Sequence, residues 1–332
     1  SYPGWTMHRS WLGGGSPPLR IAWEQALQPW AARHTRLALL HAPVNVAPLA
    51  TTCPTVVTIH DLAVFLFPEL FRPARRLYQQ TLTRASVRRA AAVIAVSAST
   101  RDDVLTLLGL ETERVAVIHN GVGDEMRPCA DSAALAAFRR RHGLPERLIL
   151  YVGTLEPRKN LVTLIEAYAQ VCQRAGGDHA LVLAGGKGWY YDAIYAAVER
   201  LGLRQRVILP GFVPQAELAL WYNSATLFVY PSLYEGFGLP PLEAMACGTP
   251  VIVARTSSLP EVVGDAGLCC DPRRPDELAE AMVALLEDPA RRATLAAQGV
   301  ARAAAFSWGA TAGATARLYH QVLKDAHAHP TA

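Results

Sequence analysis

The first 145 residues contain no lysine, and no aspartate or glutamate occurs between Leu70 and Arg101. Residues 1–145 hold 16 arginines against 10 acidic groups, a balance of +6. Residues 146–332 hold 16 basic and 18 acidic groups, −2, so the chain carries +4. No run of 18 apolar residues occurs, although 51% of residues are hydrophobic and mean hydropathy is +0.14, so no membrane span is expected. Six cysteines, at 53, 129, 172, 247, 269 and 270, lack any C-x-x-C spacing. That argues against disulfides and zinc and for reduced thiols in a cytoplasm. A D-x-D triplet is missing, as is any His/Cys/Glu cluster at metal spacing, so neither a metal nor another cofactor is expected. Without a Gly-x-Ser-x-Gly elbow or a Walker loop, hydrolase and NTPase readings have no support. No stacking aromatics interleave with the arginines, which speaks against nucleic acid. No secretory signal is read at the start.

What is present concentrates in one stretch, Tyr230-Pro231-Ser232-Leu233-Tyr234-Glu235-Gly236-Phe237-Gly238-Leu239-Pro240-Pro241-Leu242-Glu243-Ala244-Met245-Ala246-Cys247-Gly248. The apolar segment Thr226 to Tyr230 reads as a buried strand. Pro240 and Pro241 suit the first turn of a helix, where a missing N–H costs nothing. Gly248 stands where a helix-ending glycine belongs, ahead of the apolar run Pro250 to Ala254. Between strand and helix, Gly236 and Gly238 leave amides uncovered at a positive helix end, a cradle for an anion or polar ligand. Glu235 lies in the glycine turn and Glu243 about one turn into the helix. Paired carboxylates can serve acid–base hydrolysis. Beside a phosphate-binding helix end they fit better as acceptors for ligand hydroxyls. A tight strand-to-helix turn without a ligand is the plain alternative.

Residues 1–18 read as irregular, and Arg20 to Arg33 as a helix with Ile21, Leu27 and Trp30 buried. Short strands at Leu37–Leu40, Thr55–Ile59, Ala92–Val96 and Arg114–Ile118 alternate with helices, one of them capped by Ser97 and running to Leu108. Further strands fall at Arg147–Val152, His179–Ala184, Val207–Leu209, Thr226–Tyr230, Val251–Ala254 and Leu268–Cys270, and from Pro275 the chain is helical. Such alternation predicts α/β architecture, two Rossmann-like doubly wound parallel sheets with helices on both faces. The boundaries are 1–145, 146–306 and a last helix over 307–332. Ligands of such sheets lie beyond the carboxyl ends of the strands, in the cleft between domains.

Gly153-Thr154-Leu155-Glu156-Pro157-Arg158-Lys159-Asn160 joins a strand to a helix that begins near Leu161. Asn160 suits its N-cap, and Arg158 with Lys159 would oppose the macrodipole unless a polyanion such as a diphosphate docks there. A solvated loop is the alternative. His60 ends a buried strand at the same cleft, either facing a ligand or bonded to a neighbouring carbonyl. Lys187, in Gly185-Gly186-Lys187-Gly188-Trp189, is either a phosphate contact or solvated.

The residues from Glu235 to Ala244 closely resemble the E-x7-E signature of glycosyltransferase family 4, which are retaining, nucleotide-sugar-dependent enzymes of the GT-B fold. Neighbouring phrases extend the resemblance from about Arg20 to the end of the chain. It implies that Glu243 holds the donor's ribose hydroxyls and Glu235 the sugar hydroxyls, with amides of Gly236, Phe237, Gly238 and Leu239 on sugar and phosphate. Lys159 and Arg158 would stabilise the departing diphosphate, and His60 would touch the sugar from the N-terminal domain. The family commonly has Gly-Arg where this chain has Gly153-Thr154, while Lys159 matches the family's lysine. Gly185 and Lys187 fall in the donor-side loop. Gly211-Phe212-Val213-Pro214 resembles the turn whose backbone, at Phe212 and Val213, reads the nucleobase; a plain strand-to-helix turn is the alternative.

The phrases Gly153 to Asn160 and Gly185 to Trp189 look most like bacterial polysaccharide mannosyltransferases. That implies a GDP-mannose donor, with a UDP-hexose the other option, metal-independent transfer, and a glycan or lipid-linked acceptor. The resemblance also implies a last helix crossing back to the N-terminal domain. That domain lacks the family's first strand, glycine-rich loop and first helix, as a fragment, a natural truncation or an incompletely called gene would. Two other readings stay open, a catalytically inactive scaffold that binds nucleotide and another GT-B enzyme such as a nucleotide-sugar epimerase. The run containing Arg72, Arg75 and Arg76 is either a solvated helix face or a peripheral contact with anionic lipid at the inner face of the plasma membrane.

Overall fold

The computed structural model describes residues 17–175 and 179–328. The irregular reading of residues 1–18 lies outside the described residues except for Pro17 and Pro18, which open the first helix.

Four parallel strands, β1 (Leu40–Ala42), β2 (Thr55–Ile59), β3 (Ala92–Ala95) and β4 (Val115–Val117), pair in chain order to form the N-terminal sheet. The second sheet holds β5 (Leu148–Val152), β6 (Ala180–Ala184), β7 (Val207–Gly211), β8 (Leu227–Tyr230), β9 (Val251–Ala254) and β10 (Gly267–Cys270) in the order β10-β9-β8-β5-β6-β7, all parallel. Strands β2, β3, β5, β6, β8 and β9 are buried at every position, as continuous Val/Ile/Leu-rich runs must be when helices cover both faces. The order reverses between β5 and β8, a switch point beyond whose carboxyl strand ends such sheets place their ligands. The loops leaving these two strands are Gly153–Asn160 and Pro231–Gly238, the two phrases singled out in the sequence.

The last helix, Trp308–Ala328, returns to the N-terminal sheet. Its Val322 is buried among Val56, Ala92, Ile94 and Ile118, and the Tyr319 hydroxyl lies 2.5 Å from His41 Nδ1.

Leu27 and Trp30 are exposed, at 42% and 61%, and Ile21 is only half-buried, which corrects their placement in the core. Trp23–Leu27 forms a π-helical segment, so the 3.6-residue period used to place the buried stripe slips there. Pro29 and Ala32 are the residues buried instead. Gln25 from the slipped turn bonds the backbone of Ala47 and Leu49.

Candidate functional site

At the switch point, four charged side chains gather under the glycine loop. Lys159 Nζ lies 2.5 Å from Glu235 Oε1 and 3.0 Å from the Tyr230 hydroxyl. Arg158 Nη1 lies 3.2 Å from Glu235 Oε2, and its Nη2 lies 2.9 Å from Glu156. Glu156, Lys159 and Glu235 are each buried, and Ser232 donates to Glu235 Oε1 at 2.6 Å. Burial alone would raise the Glu235 carboxyl, but Lys159 and Arg158, with hydrogen bonds from Lys159 and Ser232, outweigh it and hold its pKa below the ordinary carboxylate range. Two cations and two carboxylates thus meet as a neutral set, which is how a protein keeps charge in a dry place.

Arg158 is more deeply committed than a free phosphate contact would be. Besides both carboxylates, its Nη1 donates to the Tyr234 carbonyl. Asn160 occupies the N-cap position of the helix Leu161–Arg174, but it makes no side-chain cap and has a left-handed backbone, φ 59°. Its amide instead donates to the carbonyls of Pro231 and Pro272, tying the two loops together.

Gly236, Phe237 and Gly238 follow, and Gly238 precedes the helix Leu239–Ala246. None of the hydrogen bonds among the described residues uses the N–H of Gly236, Phe237 or Gly238. Unpaired amides at the start of a helix are ready for an anion. Glu243 sits in the second turn of that helix, with Oε2 accepting from the Tyr222 hydroxyl at 2.7 Å. Burial, with a smaller push from Glu125, raises its pKa against the pull of the Tyr222 bond. The two carboxylates of the motif are therefore tuned in opposite directions.

The remaining predicted residues fall around this centre. The loops after β5 and β6 run back to back. Leu155 N–H donates to the Gly186 carbonyl, Gly188 N–H returns a bond to Leu155, and a Cβ on Gly185 would stand 2.7 Å from the Gly153 carbonyl carbon. Thr154 is exposed, and the Lys187 ammonium lies 5.0 Å from the centre of the Tyr191 ring. Phe212 is 80% exposed beside a buried Val213, leaving its ring uncovered at the end of β7. His60 is exposed on the N-terminal side, its Nε2 2.8 Å from the Pro43 carbonyl, the partner expected of a structural histidine. Its own carbonyl abuts Gly236.

Sequence reading missed Ser232, Tyr230 and Glu156, which surround the Lys159–Glu235 pair, and Ser257 and Ser258, which hold the glycine loop from the end of β9. The one available signal was position. All lie at carboxyl ends of strands, where such sheets place their sites. Among the described residues, no three His, Cys, Asp or Glu side chains gather as a metal ion would require.

Two family models match the chain, Glycosyltransferase Family 4 over residues 5–125 and Glycosyl transferases group 1 over residues 136–302. The chain is 35% identical over 282 residues to O-antigen chain mannosyltransferase B of Escherichia coli, covering 85% of this chain and 74% of that protein. It is 32% identical to the serotype-specific mannosyltransferase WbdA of Escherichia coli, covering 88% of this chain but only 36% of that longer protein. Among solved structures, Anabaena Alr3699/HepE in complex with UDP and glucose superposes with a TM-score of 0.77 at 25% identity, over 91% of this chain and 81% of that one. Two parallel Rossmann-like sheets, the E-x7-E turn at their switch point and these likenesses agree: the chain belongs to glycosyltransferase family 4 and has the GT-B fold.

Proposed function

We propose that this glycosyltransferase moves mannose, with retention of configuration and without a metal, from GDP-mannose to a hydroxyl of a glycan or lipid-linked acceptor in surface polysaccharide synthesis. The observation that carries the reading is the buried Lys159–Glu235 pair beside three unpaired amides, with Glu243 on the same helix. Relatives that are mannosyltransferases, and a structural neighbour that holds UDP and glucose, support it.

In this reading the amides of Gly236 to Leu239 and Lys159 meet the diphosphate, and Arg158 supports them from beneath through Glu235. Glu235 Oε2, bonded among the described residues by Arg158 alone, has a lone pair for a sugar hydroxyl. Glu243 Oε1 faces the ribose, while Phe212 and Val213 meet the base, with Gly153, Thr154, Gly185 and Lys187 lining the donor side and His60 the sugar. The bond from the anomeric carbon to the phosphate oxygen breaks, the acceptor oxygen bonds on the same face, and its proton passes to the departing phosphate. Fixed cations and amides lower the barrier by meeting the charge that develops on that leaving group. Incubation with GDP-mannose and an acceptor in the presence of EDTA should yield an α-linked product by NMR. An inverted product, or activity that appears only with added magnesium or manganese, would contradict the reading. Epimerised donor without acceptor would instead favour the epimerase alternative.

Glu243 supplies a second check. Ribose hydroxyls need its ionised form, yet burial raises its pKa. Nucleotide affinity should therefore fall as pH falls through that raised pKa, and binding just below it should release protons. Calorimetry in two buffers of different ionisation enthalpy reads this directly. Glu243→Ala should abolish the effect and weaken binding by roughly 1.5–3 kcal/mol, the worth of a hydrogen bond to a charged acceptor. Unchanged affinity in the variant removes Glu243 from the ribose site.

The helix Pro73–Arg89 presents Arg72, Arg75, Arg76 and a 68% exposed Leu77 at its start. No helix among the described residues is long and apolar enough to cross a membrane. We read this face as a peripheral contact with anionic lipid, each arginine contributing about 1 kcal/mol near the surface. Cosedimentation with phosphatidylglycerol liposomes should be strong at low salt and lost near about 0.5 M. No binding at low salt would leave the face as ordinary solvated helix.

A further inference from the structure

The loop that carries the cradle is held from the opposite domain. The Gly236 carbonyl points into the start of the helix Ala98–Leu108, where Ser97 Oγ donates to it at 2.6 Å and Thr100 Oγ1 at 2.9 Å. Both side chains are fully buried. Ser97 is also the N-cap of that helix, accepting from the Thr100 N–H at 3.0 Å, so its hydroxyl works in both directions. One turn back along the loop, the Tyr234 hydroxyl accepts from the Leu62 N–H and donates to Asp103.

The neighbouring carbonyls of this loop are engaged as well. Ser258 donates to those of Glu235 and Phe237, and Arg158 to that of Tyr234. In a planar trans peptide the N–H points opposite to the C=O, so fixing each carbonyl fixes the direction of the amide that follows it. Among these amides are the N–H groups of Gly236, Phe237 and Gly238, which find no acceptor among the described residues.

We propose that Ser97 and Thr100 are positioning residues for the donor's diphosphate, fixing the Gly236–Phe237 peptide so that its N–H faces the ligand. This rests on reading Gly236 to Leu239 as the diphosphate cradle. It adds that two of the cradle's anchors belong to the N-terminal domain.

The test uses GDP and GMP as probes, with UDP and UMP alongside, since only the diphosphate reaches across the cradle. In the parent, the diphosphate should bind at least tenfold tighter than the monophosphate. Thr100→Val removes one anchor at nearly constant volume and leaves the Ser97 cap in place. It should erase most of that preference and lower kcat/KM for transfer at least tenfold, with monophosphate affinity within twofold of the parent. Thr100→Ser, which keeps the hydroxyl, should recover the parent behaviour within about threefold. If Thr100→Val weakens both nucleotides equally, or neither, Thr100 only joins the domains and the proposal fails. A parent without any diphosphate preference overturns the cradle itself, and the functional reading with it.

Discussion

Glu235→Ala is expected to lose transfer by at least a hundredfold and to destabilise the protein by about 3–5 kcal/mol, the usual cost of leaving a buried charge without its partner. The charge left behind is Lys159, which is 7% exposed and, among the described residues, has only the Tyr230 hydroxyl as its other polar contact. Arg158 keeps Glu156 and the Tyr234 carbonyl, so its loss is smaller. Glu235→Gln separates the two effects. It keeps the shape and an oxygen that can accept from Lys159 and Ser232 while removing the charge, so it should be destabilised less than Glu235→Ala and fold, while still failing to transfer.

The pH dependence has a definite sign. The native Glu235 pKa is depressed, so its contribution to stability is fully present above the ordinary carboxylate range and is lost as pH falls through the lowered value. Denaturant midpoints of parent and Glu235→Gln should accordingly converge in acid and separate toward neutrality. A constant difference at all pH values would show that the Lys159–Glu235 pair is not the source of the stabilisation.

How much of this was legible in the sequence follows from how far apart the partners lie. Alternating apolar runs and helix signals placed the strands of both sheets except the first, read at Leu37–Leu40 but formed at Leu40–Ala42, because a two-faced parallel strand writes itself as an unbroken hydrophobic run. Gly248 was legible too, since a left-handed residue after a helix, here at φ 76°, asks for glycine. The E-x7-E turn showed which helix start to look at. Its chemistry was only half visible, because Lys159 and Glu235 meet across 76 positions of sequence, and no local pattern says that the cations of one loop neutralise the carboxylate of another. Asn160 illustrates the same limit. Its type and place fit a cap, yet two carbonyls from distant loops claim its amide. Leu27 and Trp30 failed for a different reason, a change of helical period within the segment. The contacts between domains were invisible altogether. His119 with Glu261, Ser97 and Thr100 with Gly236, and Tyr234 with Asp103 each join residues more than a hundred positions apart.

Gly236 is where those contacts are tightest, and its replacement by alanine should be the most damaging such change among the described glycines. A Cβ there would overlap the His60 carbonyl oxygen, stand 2.6 Å from the carbonyl carbon and 3.0 Å from Asp61 Cβ. The first two are backbone atoms at the end of β2, with no rotamer to move aside. Alanine must either push the loop off its anchors or wedge the domains apart. Each sheet keeps its own core, so Gly236→Ala should still fold. Small-angle scattering should then show a larger radius of gyration than the parent, with transfer reduced at least a hundredfold. Gly109→Ala provides the control. It also sits at a positive φ, 68°, but a Cβ there meets nothing within 4 Å, so it should cost only about 1–2 kcal/mol for the left-handed backbone and leave transfer intact. Should Gly236→Ala turn over like the parent, the active form cannot bring His60 against the glycine loop, and the closed arrangement of the two domains would not be the one that reacts.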